Sequence, residues 1–366
     1  MNGKKVLTIP VSELEPGMIA AKDVYSKNDQ LLIGRDSEID ANSIAKVTFF
    51  DIRAIEILVD DEKEETTGES QVQEKPAVFA DDDEKVTFDK FHSQYKESIV
   101  NIQDSMNQLL TAGEDINEDE LVKNVEDIVS STGNNYHVFD MLSNIKNFDD
   151  ETFNHSVNVS MICMVFGEWL GMDEQEKKEL TLCGLLHDFG KLLIDKDVLK
   201  KPGRLTDEEY EIIKAHPQKG YDFLKDKNVS ENVKLSALQH HERSDGSGYP
   251  NHLTVNEINK YASIVSIADV YDAMTATRVY RRGLSPFRVI RLFEEEGPQQ
   301  FNPIYLRPIM TNLTETYLRH DVLLSSGQRG TLVMVNRDEL SKPLVMVGDK
   351  AVDLAKERWI TIEAVY

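Results

Sequence analysis

Several predicted helices of this 366-residue chain place histidine or aspartate on the same face as their apolar side chains. In ENVKLSALQHH, Val233 leads at helical spacing to His240, and His241 adjoins it. In YASIVSIADVYDAM, Val265 leads in the same way to Asp269. Because a buried imidazole or carboxylate costs free energy unless it is paired or bound to a metal ion, these helices have to bring such groups together.

Three further stretches extend this pattern. ETFNHSVNVSM places Glu151 and His155 four residues apart, and EKKELTLCGLLHDFGK carries His187 on its apolar face, followed by Asp188. TDEEYEIIKAHP opens with the T-x-x-E pattern of a helix capping box and delivers His216 at its end. The convergence of five helices predicts a metal centre that tertiary packing assembles. Since no cysteine is among the candidates, the mixed histidine and carboxylate set favours iron or manganese over a structural zinc.

Composition and periodicity divide the chain into five predicted segments. They are a small β-rich N-terminal domain at 1–60, an acidic flexible linker at 61–85, a helical connector at 86–147, a helical catalytic domain at 148–322 and a small β appendage at 323–366. The predicted fold class is therefore mainly α, with small β-containing segments at both ends. The apolar stripe of the connector predicts a helix that packs on the next domain or on a second copy of itself.

The overall charge restricts the partners of the chain. A formal net charge of −24 argues against binding long nucleic acid, whereas a small anionic substrate is compatible with it if metal ions supply positive charge. The two cysteines are too few for a disulfide framework and fit a reducing compartment. No apolar run has the length of a membrane span or a signal peptide, so we expect a soluble, cytoplasmic protein.

Three motifs carry a resemblance to a known family. HDFGK at 187–191, KPGRLTDEE at 201–209 and HHERSDGSGYP at 240–250 resemble the motifs of the HD-GYP family. That family is a branch of the HD-domain metal-dependent phosphohydrolases and degrades the bacterial second messenger cyclic di-GMP. The resemblance covers about residues 148–320 and implies a helical HD-type catalytic domain.

The resemblance also implies roles for individual residues. The implied metal ligands are Glu151, His155, His187, Asp188, His216, His240, His241 and Asp269. Asp188 would bridge two metals and serve catalysis, and Glu151 would favour a third metal. Lys191 would face the scissile phosphate and assist the leaving oxygen. The implied substrate contacts are Lys191, Tyr249, Arg278 and Arg281.

The implied reaction is hydrolysis of cyclic di-GMP to linear pGpG, with a second cleavage to GMP left open. Two or three divalent ions, Fe or Mn, would be bound, and a hydroxide that bridges two of them would attack phosphorus. Three alternatives stay open: a hydrolase of another cyclic dinucleotide or nucleotide phosphate ester, a non-catalytic cyclic di-GMP receptor, and a metal site that only braces the structure. For the helical connector, a homodimer contact and an intramolecular brace both stay open.

Overall fold

The computed structural model describes residues 4–26, 29–50, 52, 54–60, 82–112, 115–133, 137–145, 151–199, 201, 206–276 and 283–366. Within these ranges the chain is mainly helical, as predicted, with small sheets near both ends. Among the described residues, no helix combines the length and apolar content that a membrane crossing requires.

The N-terminal unit is a small β structure with one helix. Its elements are β1 (Lys4–Pro10), β2 (Ile19–Ala20), β3 (Val24–Tyr25), β4 (Leu31–Ile33), α1 (Ala41–Phe49) and β5 (Ala54–Asp60). β5 lies between β1 and β2 in an antiparallel sheet, and β3 pairs with β4. The unit has its own core, but Phe49 at the end of α1 packs edge-on against Phe293 and Phe301 of the following part of the chain, with ring centroids 5.7 Å apart in both pairs.

Fourteen helices occur in the described ranges, thirteen of them after the N-terminal unit. The first seven of these are α2 (Asp82–Ala112), α3 (Glu118–Ser131), α4 (Val138–Asn144), α5 (Glu151–Trp169), α6 (Glu174–Leu186), α7 (Lys196–Leu199) and α8 (Asp207–Lys214). The others are α9 (His216–Leu224), α10 (Glu231–Gln239), α11 (Lys260–Thr275), α12 (Pro286–Glu295), α13 (Gly297–Gln300) and α14 (Pro303–Thr316). A short 3₁₀ helix, Phe189–Leu193, follows α6.

The helices α5 and α11 lie at the centre of the helical part. Nearly all of the side chains of α11 from Tyr261 to Asp272 are buried, and Val157 and Ile162 of α5 are fully buried. The two helices pack on each other, so the polar side chains that they carry face one another across the core. The predicted capping box at the start of α8 is confirmed: Thr206 Oγ1 accepts from the backbone N–H of Glu209, whose carboxylate accepts from that of Thr206.

The C-terminal strands form one antiparallel sheet that packs on the helices. Its strands are β6 (Asp321–Leu324), β7 (Arg329–Met334), β8 (Leu344–Val347), β9 (Lys350–Asp353) and β10 (Ile362–Val365), arranged in the order β10-β6-β7-β8-β9. Arg288 of α12 forms an ion pair with Glu363, and the buried residues Val322 and Leu332 belong to the main hydrophobic core. The β appendage therefore shares a continuous core with the helical part.

The connector helix packs within the chain. The apolar stripe of α2 includes Phe91, Tyr95, Ile102 and Met106, all of which are buried in the main core. This arrangement fits the first of the two predicted uses of the helix, packing on the next domain. Most of the predicted linker at 61–85 lies outside the described residues, and its last residues already belong to α2.

Candidate metal centre

The predicted ligands meet where several helices begin or end. His187 is the C-cap of α6, and His240 is the C-cap of α10. His216 opens α9, which corrects the expectation that it closes the preceding helix, because α8 ends at Lys214. His155 and Asp269 come instead from the central helices α5 and α11.

Four of these residues form the first ligand group, which we call the closed group: Asp188, His216, His240 and His241. One ligand atom from each lies within 4.8 Å of those of the others. Asp188 Oδ1 lies 3.1 Å from His216 Nε2 and 3.6 Å from His240 Nε2. The side chains of His216 and His240 are fully shielded from solvent.

The second group, which we call the open group, consists of His155, His187 and Asp188, and its ligand atoms also lie within 4.8 Å of one another. Asp188 Oδ2 lies 3.7 Å from His155 Nε2 and 3.5 Å from His187 Nε2. Asp269 Oδ1 adjoins this group, 3.0 Å from His155 Nε2. Asp188 is therefore shared: Oδ1 faces the closed group and Oδ2 faces the open group, the arrangement of a carboxylate that bridges two cations.

Backbone carbonyls orient three of the histidine rings. His187, His216 and His240 each place Nδ1 next to the carbonyl oxygen three residues earlier, at 2.6, 2.8 and 3.1 Å. Because a carbonyl oxygen only accepts hydrogen bonds, these Nδ1 atoms are the protonated ones, and the Nε2 atoms carry lone pairs. Such outer hydrogen bonds fix the tautomer that a metal ligand needs.

The lone pairs of these rings need a cation. His216 Nε2 and His240 Nε2 lie only 3.2 Å apart, and His187 Nε2 is buried without a hydrogen-bond partner in the described part of the chain. Unpaired buried nitrogens that point at one another are unfavourable in a protein interior unless something binds between them. A divalent metal ion would meet this need, because it binds imidazole nitrogen and carboxylate oxygen, the donors that are gathered here.

The protonation states also fit metal binding. Burial lowers the pKa of His187 to about 3 and that of His216 to about 4, so both rings are neutral at pH 7. Burial raises the pKa of Asp188, but the Lys191 ammonium and the adjacent His187 ring outweigh it and hold that pKa well below its usual range. Neutral imidazoles and an ionised carboxylate are the forms that bind metal.

His155 differs from the other histidines because two carboxylates surround it. Its Nδ1 lies 2.7 Å from Asp272 Oδ2, and its Nε2 faces Asp269. Burial lowers the pKa of His155, but Asp269 and Asp272 outweigh it and raise that pKa to about 9. A cation that binds to Nε2 must therefore displace a proton at neutral pH.

Lys191 lies at the entrance of the centre. It belongs to the 3₁₀ helix after Asp188, its Nζ donates to Asp188 Oδ2 at 2.5 Å, and about a fifth of its side chain is exposed. The turn that carries it approaches α9 closely, because a Cβ at Gly190 would overlap the carbonyl oxygen of His216. A glycine at this position thus lets Lys191 and His216 lie beside the same carboxylate.

The loop that follows the adjacent histidines is fixed by Glu242. Its buried carboxylate accepts hydrogen bonds from the backbone N–H groups of Asn251 and Leu253, at 2.7 and 3.0 Å. The Tyr249 ring is buried and stacks on His241, with centroids 4.7 Å apart and planes at 18°. This position supports His241 directly, while the predicted contact of Tyr249 with substrate stays a prediction.

The sequence analysis assigned no role to Asp272 or Glu242, although the sequence contains an indication for each of them. Asp272 follows Asp269 by three residues on the same helix face, and Glu242 belongs to the HHE motif. The predicted phosphate contacts Arg278 and Arg281 lie outside the described residues. The backbone of Glu151 opens α5, but its side chain is outside the description, so its role as a third-metal ligand stays a prediction.

Comparison with known proteins shows what this region is similar to. Residues 138–303 match the family model described as HD domain. A cyclic di-GMP phosphodiesterase of Pseudomonas aeruginosa is 34% identical over 224 residues, 61% of this chain and 54% of that protein. The 3′3′-cGAMP-specific phosphodiesterase 1 of Vibrio cholerae is 38% identical over 145 residues, 40% of this chain and 34% of that protein. This chain thus spans about half or less of the length of these curated relatives.

One solved structure resembles the fold. Bd1817, an HDG"Y"P protein from Bdellovibrio bacteriovorus, has a TM-score of 0.50 at 18% identity, and the match covers 84% of this chain and 99% of that chain. This likeness concerns the fold alone.

Proposed function

From the match of residues 138–303 to the HD domain family model, we propose that this chain is a metal-dependent phosphodiesterase that hydrolyses cyclic di-GMP to linear pGpG. The observation that carries the proposal is the shared position of Asp188, with one carboxylate oxygen turned to each ligand group and Lys191 beside it. The cyclic di-GMP phosphodiesterase named above supports the choice of substrate.

The chain's own residues prepare the reaction in three ways. Bound at the two ligand groups, divalent ions supply an activated water and positive charge for the phosphoryl oxygens. Asp188 fixes the spacing of the two groups, since its two oxygens serve both. The buried imidazoles hold their Nε2 atoms inward, so no reorganisation is needed when the ions bind. His187, Asp188, His216 and His240 are at most 2% exposed, so bulk water has little access to these ligands.

Lys191 is the group best placed to act on the substrate. Its Nζ is held by Asp188 Oδ2 and partly exposed, so a phosphate oxygen that approaches the shared carboxylate also approaches the ammonium. Charge on the phosphoryl oxygens and on the leaving ribose oxygen increases as the bond breaks, and a fixed ammonium stabilises both. Arg278 and Arg281 remain the proposed partners of the second phosphate or a guanine base.

The finer properties of the centre are part of the proposal. The donor set of imidazole nitrogens and carboxylate oxygens supports Fe or Mn. We expect one ion at each of the two ligand groups, and Glu151 would supply a ligand for a third ion. A cytoplasmic location stays a prediction. So does a homodimer through residues 86–147, although the apolar side of α2 is covered within the chain.

The decisive experiment combines metal analysis with a substrate panel. Anaerobically purified protein should contain Fe or Mn and should convert cyclic di-GMP to pGpG, resolved by chromatography. The double variant His187→Ala, Asp188→Ala should lose both the metals and the turnover while keeping its helical circular dichroism. Hydrolysis by a metal-loaded double variant would show that the centre lies elsewhere.

A second candidate substrate is 3′3′-cGAMP, because a phosphodiesterase specific for it is among the relatives. The same panel should therefore offer cyclic di-GMP and 3′3′-cGAMP in competition, together with a nucleotide phosphate ester. A higher kcat/KM for 3′3′-cGAMP would reassign the substrate and leave the metal centre intact. Tight binding of cyclic di-GMP without any product in the presence of Fe or Mn would instead support a receptor.

A further inference from the structure

A buried chain of hydrogen bonds joins the connector helix to the open ligand group. The hydroxyl of Tyr95 on α2 donates to Asn158 Oδ1 at 2.7 Å, and Asn158 Nδ2 donates to Asp272 Oδ1 at 3.0 Å. Asp272 Oδ2 in turn lies 2.7 Å from His155 Nδ1. Tyr95, Asn158 and Asp272 are each only 2 to 3% exposed as residues, so these bonds are shielded from bulk solvent.

Each donor in this chain fixes the direction of the next. Burial and the charge of Asp272 raise the pKa of Tyr95 well above its ordinary value, so the phenol keeps its proton and can donate. Asn158 accepts this hydrogen bond on Oδ1 and, because a carboxylate only accepts, presents its amide nitrogen to Asp272. The other oxygen of Asp272 accepts a hydrogen bond from His155 Nδ1, so that Nε2 faces the metal position.

The alternative orientation of Asn158 shows what Tyr95 contributes. Turned over, the amide would place its NH₂ against the Tyr95 hydroxyl and its oxygen against the oxygen of Asp272. Two acceptors would then face each other in a dry site, which costs free energy. The Asp272 carboxylate therefore sets which way the amide faces, and the Tyr95 hydroxyl, from α2, satisfies the amide oxygen and holds the amide in place.

We propose that Tyr95 is a positioning residue for the metal centre, and that it acts through Asn158 and Asp272 to hold the His155 ring in its metal-binding tautomer and orientation. This inference rests on the proposed metal centre. The inference gives α2 a functional role beyond packing, because Tyr95 of this helix is the outermost residue of the hydrogen-bond chain that ends at the open group. Among the described contacts, no such chain joins α2 to the closed group.

The test measures metal binding as well as turnover. Apoprotein is titrated with Mn²⁺, and free Mn²⁺ is followed by its electron paramagnetic resonance signal. Tyr95→Phe should weaken one class of Mn²⁺ site about three- to tenfold, less than the loss of about 10- to 100-fold expected for Asp272→Asn, because it acts further from the ligand. Turnover lost at limiting Mn²⁺ should return at saturating Mn²⁺.

The matched control is Tyr317→Phe. Tyr317 is equally buried, and Tyr317→Phe also removes one tyrosine hydrogen bond, to the hydroxyl of Tyr271 at 3.1 Å; among the described hydrogen bonds, none joins Tyr317 to Asn158, Asp272 or His155. Tyr317→Phe should lower thermal stability without changing Mn²⁺ affinity. If Tyr95→Phe unfolds the protein, Asn158→Ala breaks the same chain one step further in and should give the same selective loss.

A double-mutant cycle separates positioning from general destabilisation. In the Asp272→Asn background, Tyr95→Phe should cause little further loss of Mn²⁺ affinity, because both substitutions break one pathway. Equal Mn²⁺ affinities for wild type, Tyr95→Phe and Tyr317→Phe would overturn the inference and leave the proposed function standing. A wild-type protein that binds no Mn²⁺ and does not hydrolyse cyclic di-GMP would overturn the metal centre itself, and this inference with it.

Discussion

The closed and the open ligand groups share Asp188 but are held by different means. In the closed group, His216 and His240 are oriented by the backbone carbonyls three residues earlier, and their side chains are completely shielded. In the open group, His187 is oriented in the same way, but His155 is held by the side chain of Asp272, and about an eighth of its own side chain is exposed. The open group therefore depends, through His155, on side chains from α2, α5 and α11.

This difference assigns separate tasks to the two groups. A ligand group held by backbone atoms cannot be altered without altering the helix ends, so it suits the permanent binding of a cation. A partly exposed group held by side chains can respond to substrate and to changes in neighbouring helices. We expect substitutions to separate the two groups, except at the residue that they share.

The largest effect should follow Asp188→Ala. Loss of the shared carboxylate removes an oxygen ligand from both groups at once, so both Mn²⁺ sites should weaken, and kcat should fall on the order of 10³-fold or more. The measurements are bound metal by mass spectrometry and turnover of cyclic di-GMP. Retention of either site at wild-type affinity would contradict the shared role.

A smaller and selective effect should follow substitution of one ligand in each group. His216→Gln should abolish one class of Mn²⁺ site and His155→Gln the other, with losses of affinity of at least about 100-fold at the site affected. The structural reason is that each ring faces only one group. Titration of both variants with Mn²⁺ tests this, and loss of the same site in both would show that there is a single centre.

The pH dependence of Mn²⁺ binding should also differ between the groups. Asp269 and Asp272 raise the pKa of His155 to about 9, so a cation at the open group releases a proton below that pH. Affinity there should rise about tenfold per pH unit and level off near pH 9. Burial lowers the pKa of His216 to about 4, so His216 should add no pH dependence to cation binding at the closed group above about pH 5. An equal dependence of Mn²⁺ affinity on pH at both sites would contradict the assignment of one site to each ligand group.

The smallest effect should follow Tyr249→Leu. The stacked tyrosine supports His241 of the closed group, and its loss should lower the free energy of unfolding by about 1 kcal/mol. Affinity at the closed group should fall slightly, while KM for cyclic di-GMP stays the same. Thermal unfolding and steady-state kinetics measure the two quantities. A large rise in KM with normal stability would instead support the predicted contact of Tyr249 with substrate.

Much of the fold and centre could be predicted because helical spacing defines which side chains share a face. Val233 of α10 and Val265 of α11, predicted to face inward, are both buried, and the capping box of α8 and the strands near both ends are confirmed. The place of His216 was wrong by one helix, since a break between Lys214 and His216 leaves the apolar pattern almost unchanged. Asp272 was visible on the ligand-bearing face, but only its contact with His155 reveals its role.

The sequence by itself determined the residue types, the helix faces that carry them and the motifs of an HD domain. Only the tertiary structure decided that Asp188 divides its oxygens between two groups, that Nε2 is the inward nitrogen of each oriented ring, and that Tyr95 connects α2 to His155. The physical reason is that spacing along a helix fixes direction about one axis. Distances between helices depend on how several side chains pack together, and no single stretch of sequence contains that information.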